Sequence, residues 1–224
     1  TYLSELKNIP EAWHRAWQSS TFRNYFAISI LVFLAVSLCN FHFLRVWQLR
    51  NGSEINDIIL NQLRPHNFSV PIFVLEYSAL LLVLVFVLPH PDRLLIGIQT
   101  FTVVLALRTI AVYLVPLEPP RDMIFLTDPF ANLFLHRDDI VVTKDLFYSG
   151  HISAITILIL VTSNTYLKRY ALFCGFAVAI MILWQHVHYS MDVACAPVIS
   201  YLSFKAVMWL NGQTKYGLVL KDAY

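Results

Sequence analysis

The feature that most limits this chain is a series of apolar runs, separated by polar or proline-rich breaks and mostly long enough to cross a lipid bilayer. A spanning helix needs about 20 residues. Hydrocarbon offers no partner for a bare backbone N–H or C=O, so such runs must be helical. They cover approximately 25–43, 70–88, 94–115, 151–161, 171–185 and 193–210. Charged residues make up 13% of the 224, about half the roughly 25% typical of soluble domains. The pattern predicts an all-α, polytopic membrane protein with six transmembrane helices. A net charge of +2 says nothing about partners, and with no basic cluster interleaved by aromatics no nucleic-acid partner is expected. Cys39, Cys174 and Cys195 all fall in apolar runs, which argues against a disulfide framework.

Ahead of the first run, residues 1–24 set Leu3, Leu6, Ile9, Trp13 and Trp17 against Lys7, Arg15 and Arg23. Pro10 followed by Glu11 suits a helix start, and the two tryptophans stand four apart on one face. This predicts an N-terminal amphipathic helix in the headgroup layer, or equally a plain lead-in to the first span. No cleavable signal peptide is expected, because the first apolar run begins only near Tyr25. Residues 25–210 form the expected catalytic domain, and 211–224 a polar tail. Six spans place both termini on one side. That side holds nine Lys and Arg (Lys7, Arg15, Arg23, Arg93, Lys168, Arg169, Lys205, Lys215, Lys221) against six opposite (Arg45, Arg50, Arg64, Arg121, Arg137, Lys144). The positive-inside rule then puts the termini in the cytoplasm, and the first, third and fifth connectors on the periplasmic or lumenal face.

Two polar stretches meet on that face: Asp145-Leu-Phe-Tyr-Ser-Gly-His151 at the entry of the fourth run, and His188-Tyr-Ser-Met-Asp192 before the sixth. His188 and Asp192 are four apart, a spacing that stacks side chains on a helix. A carboxylate on one imidazole nitrogen sets the tautomer and directs the other nitrogen as base or nucleophile. His151 can then serve as general acid on a leaving oxygen. With no adjacent Ser or Cys nucleophile, the set suits phosphoryl transfer through a phosphohistidine. Ser149 and Gly150 at a helix start supply a hydroxyl and N–H donors for phosphate oxygens, although Ser149 is equally suited to simple capping. His66, His90 and His136 read as interfacial polar residues. A zinc set of His151, His186, His188 and Asp192 is weakened because residues two apart on a helix diverge, so no metal or other cofactor is expected.

Glu76 and Arg108 lie inside apolar runs, where an ionisable group costs about 2.5–3.5 kcal/mol on insertion scales. Either they form an ion pair with each other, or Arg108 binds phosphate while Glu76 positions it or lines the substrate cleft.

These residues resemble the sphingomyelin synthase family within the PAP2 (lipid phosphate phosphatase) superfamily. Asp145-Leu-Phe-Tyr-Ser-Gly-His151 is similar to that family's first catalytic motif and His186-Val-His188-Tyr-Ser-Met-Asp192-Val to its second. Leu75-Glu76 and the stretch from Arg108 to Pro120 resemble two further family segments. The resemblance implies a PAP2-like helical bundle with His188 as nucleophile, Asp192 as its orienting partner and His151 as the acid that protonates departing diacylglycerol. His151 would next act as base on a ceramide hydroxyl. Arg108, Glu76, Asp145, Tyr148, Ser149 and Gly150 would bind substrate and phosphate. Met181 and Ile182 stand where the wider superfamily has a Ser-Arg pair. Losing that guanidinium favours a singly charged diester over a phosphomonoester.

The expected function is transfer of a phospho-headgroup, phosphocholine or phosphoethanolamine, from a glycerophospholipid to ceramide. Hydrolysis at the same site, as a phosphatase or phospholipase C, is the alternative. A non-catalytic lipid-binding or transport protein is the second. The partners expected are a phospholipid donor, ceramide or diacylglycerol-type lipids and the bilayer itself; a homo-oligomer is left open.

Overall fold

A computed structural model describes residues 9–128 and 143–212. His136, the residues before Ile9 and most of the polar tail lie outside the described residues. The described chain is helical, with a single isolated β-bridge between Ser53 and Leu117. Its helices are α1 (Ile9–Gln18), α2 (Ser20–Gln48), α3 (Ser69–Val87), α4 (Pro91–Leu114), α5 (Gly150–Val161), α6 (Thr165–Trp184) and α7 (Ser190–Gly212). Their starts have local causes. Ser19 Oγ accepts the Phe22 N–H at 3.3 Å ahead of α2, and Asn164 Oδ1 accepts from Tyr166 and Leu167 at 3.0 and 3.1 Å ahead of α6. Pro91 opens α4, where its missing N–H costs nothing.

Five helices, α2, α3, α4, α6 and α7, are long and apolar enough to cross a membrane, which is compatible with an integral membrane protein. The run expected to be the fourth span is different. α5 has 12 residues, a rise of about 18 Å against a hydrocarbon core of about 30 Å. It lies at the centre, packed against α3, α4, α6 and α7. Ile152, Ile155, Ile157 and Val161 are buried there. A helix enclosed on all sides is apolar all round, so its composition matches that of a short span and only its length differs. α2 sits at the edge, packing chiefly on α4 and leaving Leu31, Leu34, Leu38 and Phe41 exposed.

α1 folds back instead of extending α2. Trp13 and Trp17 place their rings 5.6–6.4 Å from those of Phe22 and Phe26. The Trp13 indole also donates to the Leu88 carbonyl, at 2.8 Å, in the turn between α3 and α4. The tryptophan face of this helix therefore rests on protein.

On the other side, the connectors are stitched together around the start of α5. Ser53 N–H donates to Pro116 O at 3.0 Å, Glu118 N–H to Ser53 O at 3.1 Å, and Gly52 N–H to Glu118 Oε1 at 2.8 Å. The backbones approach so closely that a Cβ on Gly52 would lie 2.5 Å from the Leu117 carbonyl carbon. Gln185, fully buried after α6, ties in the rest. Its Oε1 accepts Phe68 N–H at 2.7 Å, and its Nε2 donates to Ser69 Oγ at 3.0 Å and Ile124 O at 3.2 Å.

Candidate active site

The centre of the site is the junction of α5 with α3 and α4. Arg108 reaches from α4 to the segment just before α5. Its NH1 donates to Asp145 Oδ2 at 2.7 Å, its NH2 to Asp145 O at 2.9 Å, and its Nε to Tyr148 O at 2.7 Å. Gly150 makes room for it, since a Cβ there would stand 3.4 Å from the guanidinium carbon. On the opposite side of α5, His151 Nδ1 lies 2.7 Å from Glu76 Oε2 on α3. A carboxylate can only accept, so Nδ1 carries the proton and Nε2 remains for other partners.

This corrects the sequence reading in two respects. Glu76 and Arg108 are not paired with each other, and Glu76 does not position Arg108. α5 stands between their helices, and each takes a partner from its own side: His151 for Glu76, Asp145 for Arg108. Tyr148 is also misplaced by that reading. Its side chain is 1% exposed and its hydroxyl donates to Val104 O at 2.9 Å, turned into the core and off the lining of the cavity described below.

His188 precedes α7, and Asp192 lies in that helix's first turn. Their proximity is a helix-start effect, not stacking along a helix face. Asp192 Oδ2 accepts the Tyr189 N–H at 3.0 Å, as an acidic residue near a helix start can, and the same oxygen lies 3.4 Å from His188 Nδ1. That separation is at the outer limit of a hydrogen bond, and His188 Nδ1 has no closer partner. Both residues are buried. Burial pushes the His188 pKa below its usual value; Asp192 opposes the shift, while Arg108 and His151 reinforce it. The imidazole is thereby held neutral, the form required of a nucleophile.

Glu76, Arg108, Asp145, Gly150, His151 and His188 line one cavity of about 610 Å³. Phe73, Phe101 and Leu105 continue its wall with apolar surface. Asp192 stands behind His188, off the lining. Ser149 is fully buried with its Oγ unpaired, so the side chain neither caps α5 nor reaches the cavity. Its N–H donates instead to Asp192 O at 3.2 Å, which joins the two motifs directly. His186 points elsewhere, donating from Nδ1 to Arg121 O at 2.9 Å and lining a second cavity. Among the described residues no three His, Cys, Asp or Glu side chains converge as a metal would require.

The family model for the PAP2 superfamily C-terminal region matches residues 144–210. This supports membership of the PAP2 superfamily. The PAP2 match spans both motifs, with His151, His188 and Asp192, and stops short of Glu76 and Arg108, which belong to helices before it. No curated protein matches the sequence. PAP2 proteins are generally phosphatases or phosphotransferases, which supports an enzyme acting on lipids.

The residues that sequence reasoning missed are those that hold the two motifs in place. Asp57 is a polar residue with no motif around it, and Gln185 stands just before the second motif with nothing in its type to mark it. The Glu76–His151 contact joins positions 75 apart in the chain, and its signal is that both are ionisable groups within or at the head of apolar runs.

Proposed function

We propose that the protein is a lipid headgroup phosphotransferase of the sphingomyelin synthase type. The observation that carries this reading is a pair of imidazoles, each beside its own carboxylate, opening on one cavity that also holds Arg108. His188, neutral and backed by Asp192, attacks the phosphorus of a glycerophospholipid through Nε2. The bond from phosphorus to the diacylglycerol oxygen breaks, and protonated His151 delivers its Nε2 proton to that oxygen. Glu76, 2.7 Å from Nδ1, fixes the ring so that Nε2 is the nitrogen left for the reacting oxygen. The neutral His151 left behind then takes the proton from a ceramide hydroxyl, whose oxygen attacks phosphorus and expels His188. Arg108 has spent three of its five N–H donors on Asp145 and Tyr148. Its contribution is therefore a fixed positive charge beside the phosphoryl oxygens, helped by the free N–H groups at the start of α5. In this reading α5 counts as a sixth crossing and the cavity opens to the non-cytoplasmic leaflet. The apolar wall suits lipid chains.

The test is turnover of phosphatidylcholine or phosphatidylethanolamine carrying a labelled headgroup, with and without ceramide. Transfer yields a labelled phosphosphingolipid. Diacylglycerol released at the same rate without ceramide would make the enzyme a hydrolase, and no turnover of any lipid would leave a binding or transport protein. Full activity in His188→Ala would remove the nucleophile assignment.

A further inference from the structure

Asp57 belongs to the connector between α2 and α3, distant in sequence from both motifs, yet it is a buried carboxylate with every acceptor position in use. Its Oδ1 accepts the N–H groups of Ile59 and Leu60, at 2.9 and 3.3 Å, and so closes a local turn. Its Oδ2 accepts from Ser190, the backbone N–H at 2.6 Å and the hydroxyl at 2.7 Å. Ser190 is the first residue of α7, placed between His188 and Asp192. A second tie from the same connector runs alongside, because the buried Tyr189 hydroxyl accepts Ile55 N–H at 3.3 Å and donates to Glu118 O at 3.0 Å. The first turn of α7 is therefore clamped from outside, at the residues that set the 3.4 Å separation of His188 Nδ1 and Asp192 Oδ2. Asp192 Oδ2 is shared between Tyr189 N–H and the His188 ring, so fraying of this turn would change which of them it serves.

We infer that Asp57 is a positioning residue for the His188–Asp192 pair, acting through Ser190. The inference rests on those two residues being the catalytic pair of the proposed reaction. One of the carboxylate's two duties can be removed without the other. In Asp57→Asn the amide oxygen still accepts from Ile59 and Leu60, a role to which Asn is well suited, while its NH2 now faces the Ser190 N–H, donor against donor. Ser190→Ala is the milder lesion, losing the hydroxyl bond and keeping the backbone one.

Two readouts test this on the full chain in lipid nanodiscs, with the melting temperature as a check on folding. Asp57→Asn is expected to lower kcat about 10- to 100-fold, the scale of small misplacements at a reacting centre, with KM within about twofold and Ser190→Ala in between. Independently of turnover, 15N NMR of the histidine rings should show His188 as a single tautomer protonated at Nδ1 in the parent protein and as a mixture in Asp57→Asn. An unchanged His188 spectrum in folded Asp57→Asn overturns the inference whether or not the enzyme turns over lipid. Loss of kcat that merely tracks a lowered melting temperature overturns it too. If Asp57→Asn does not fold, Ser190→Ala decides by the same two readouts. A parent protein that transfers no headgroup, yet shows the tautomer change, refutes the proposed reaction and leaves the positioning intact.

Discussion

Glu76 meets His151 at 2.7 Å on the cavity wall, whereas Asp192 stands 3.4 Å from His188 in the interior. In the proposed reaction the short pair holds the imidazole that passes the proton, and the long one the imidazole that attacks phosphorus. Glu76→Gln keeps the shape and removes the carboxylate that holds the ring passing the proton in the proposed reaction. Turnover should fall about 10²- to 10⁴-fold, the usual contribution of general acid–base catalysis, with lipid binding retained; steady-state kinetics on the labelled lipid checks this. His188 also makes stability depend on pH. Its pKa in the folded protein is below the ordinary value, so the unfolded chain binds the proton more readily. Its share of stability is present above about pH 6.5 and is lost as pH falls from there toward the folded value. The melting temperature should decline over that range in the parent protein and less steeply in His188→Gln.

At the level of elements, the connectors hold more of the structure than their composition suggests. Gly52→Ala forces a Cβ into the backbone of Leu117, and overpacking of this kind costs about 1–3 kcal/mol. Gln185→Leu leaves the half-buried Phe68 N–H and Ile124 carbonyl without their partner, at up to about 1–3 kcal/mol for each unsatisfied group. Both variants should unfold at lower temperature, measurable in detergent by differential scanning. The sequence makes the long helices plain because hydrophobic runs state their own length. α3, α4, α6 and α7 begin and end within a few residues of expectation, apart from α6, which starts six earlier because Asn164 caps it. The two motifs were legible too, since polar residues at the ends of apolar runs stand out. The partners were not. Three carboxylates and three cationic or imidazole groups near one depth can be matched in several ways, and only the placement of α5 between α3 and α4 selects Glu76 with His151 and Arg108 with Asp145. Tyr148 read as a ligand because its neighbours were, but nothing in sequence shows which way a single side chain turns.

For the whole molecule, the proposed orientation puts Glu54 outside and Arg15 in the cytoplasm. In a chain with Cys39 replaced, a cysteine at position 54 should react with an impermeant maleimide added to intact cells, and one at position 15 should react only after lysis. The reverse result would invert the topology. The brevity of α5 has a consequence for synthesis as well. With 12 residues, it is too short to be held in a bilayer by its own hydrophobicity, and two of the four helices that enclose it, α6 and α7, leave the ribosome after it. α3 and α4 can settle first, while α5 must wait for the chain that follows. The stretch with His151 at its head is therefore expected to settle only with α6 and α7, so a chain cut after Val161 should leave it outside the membrane.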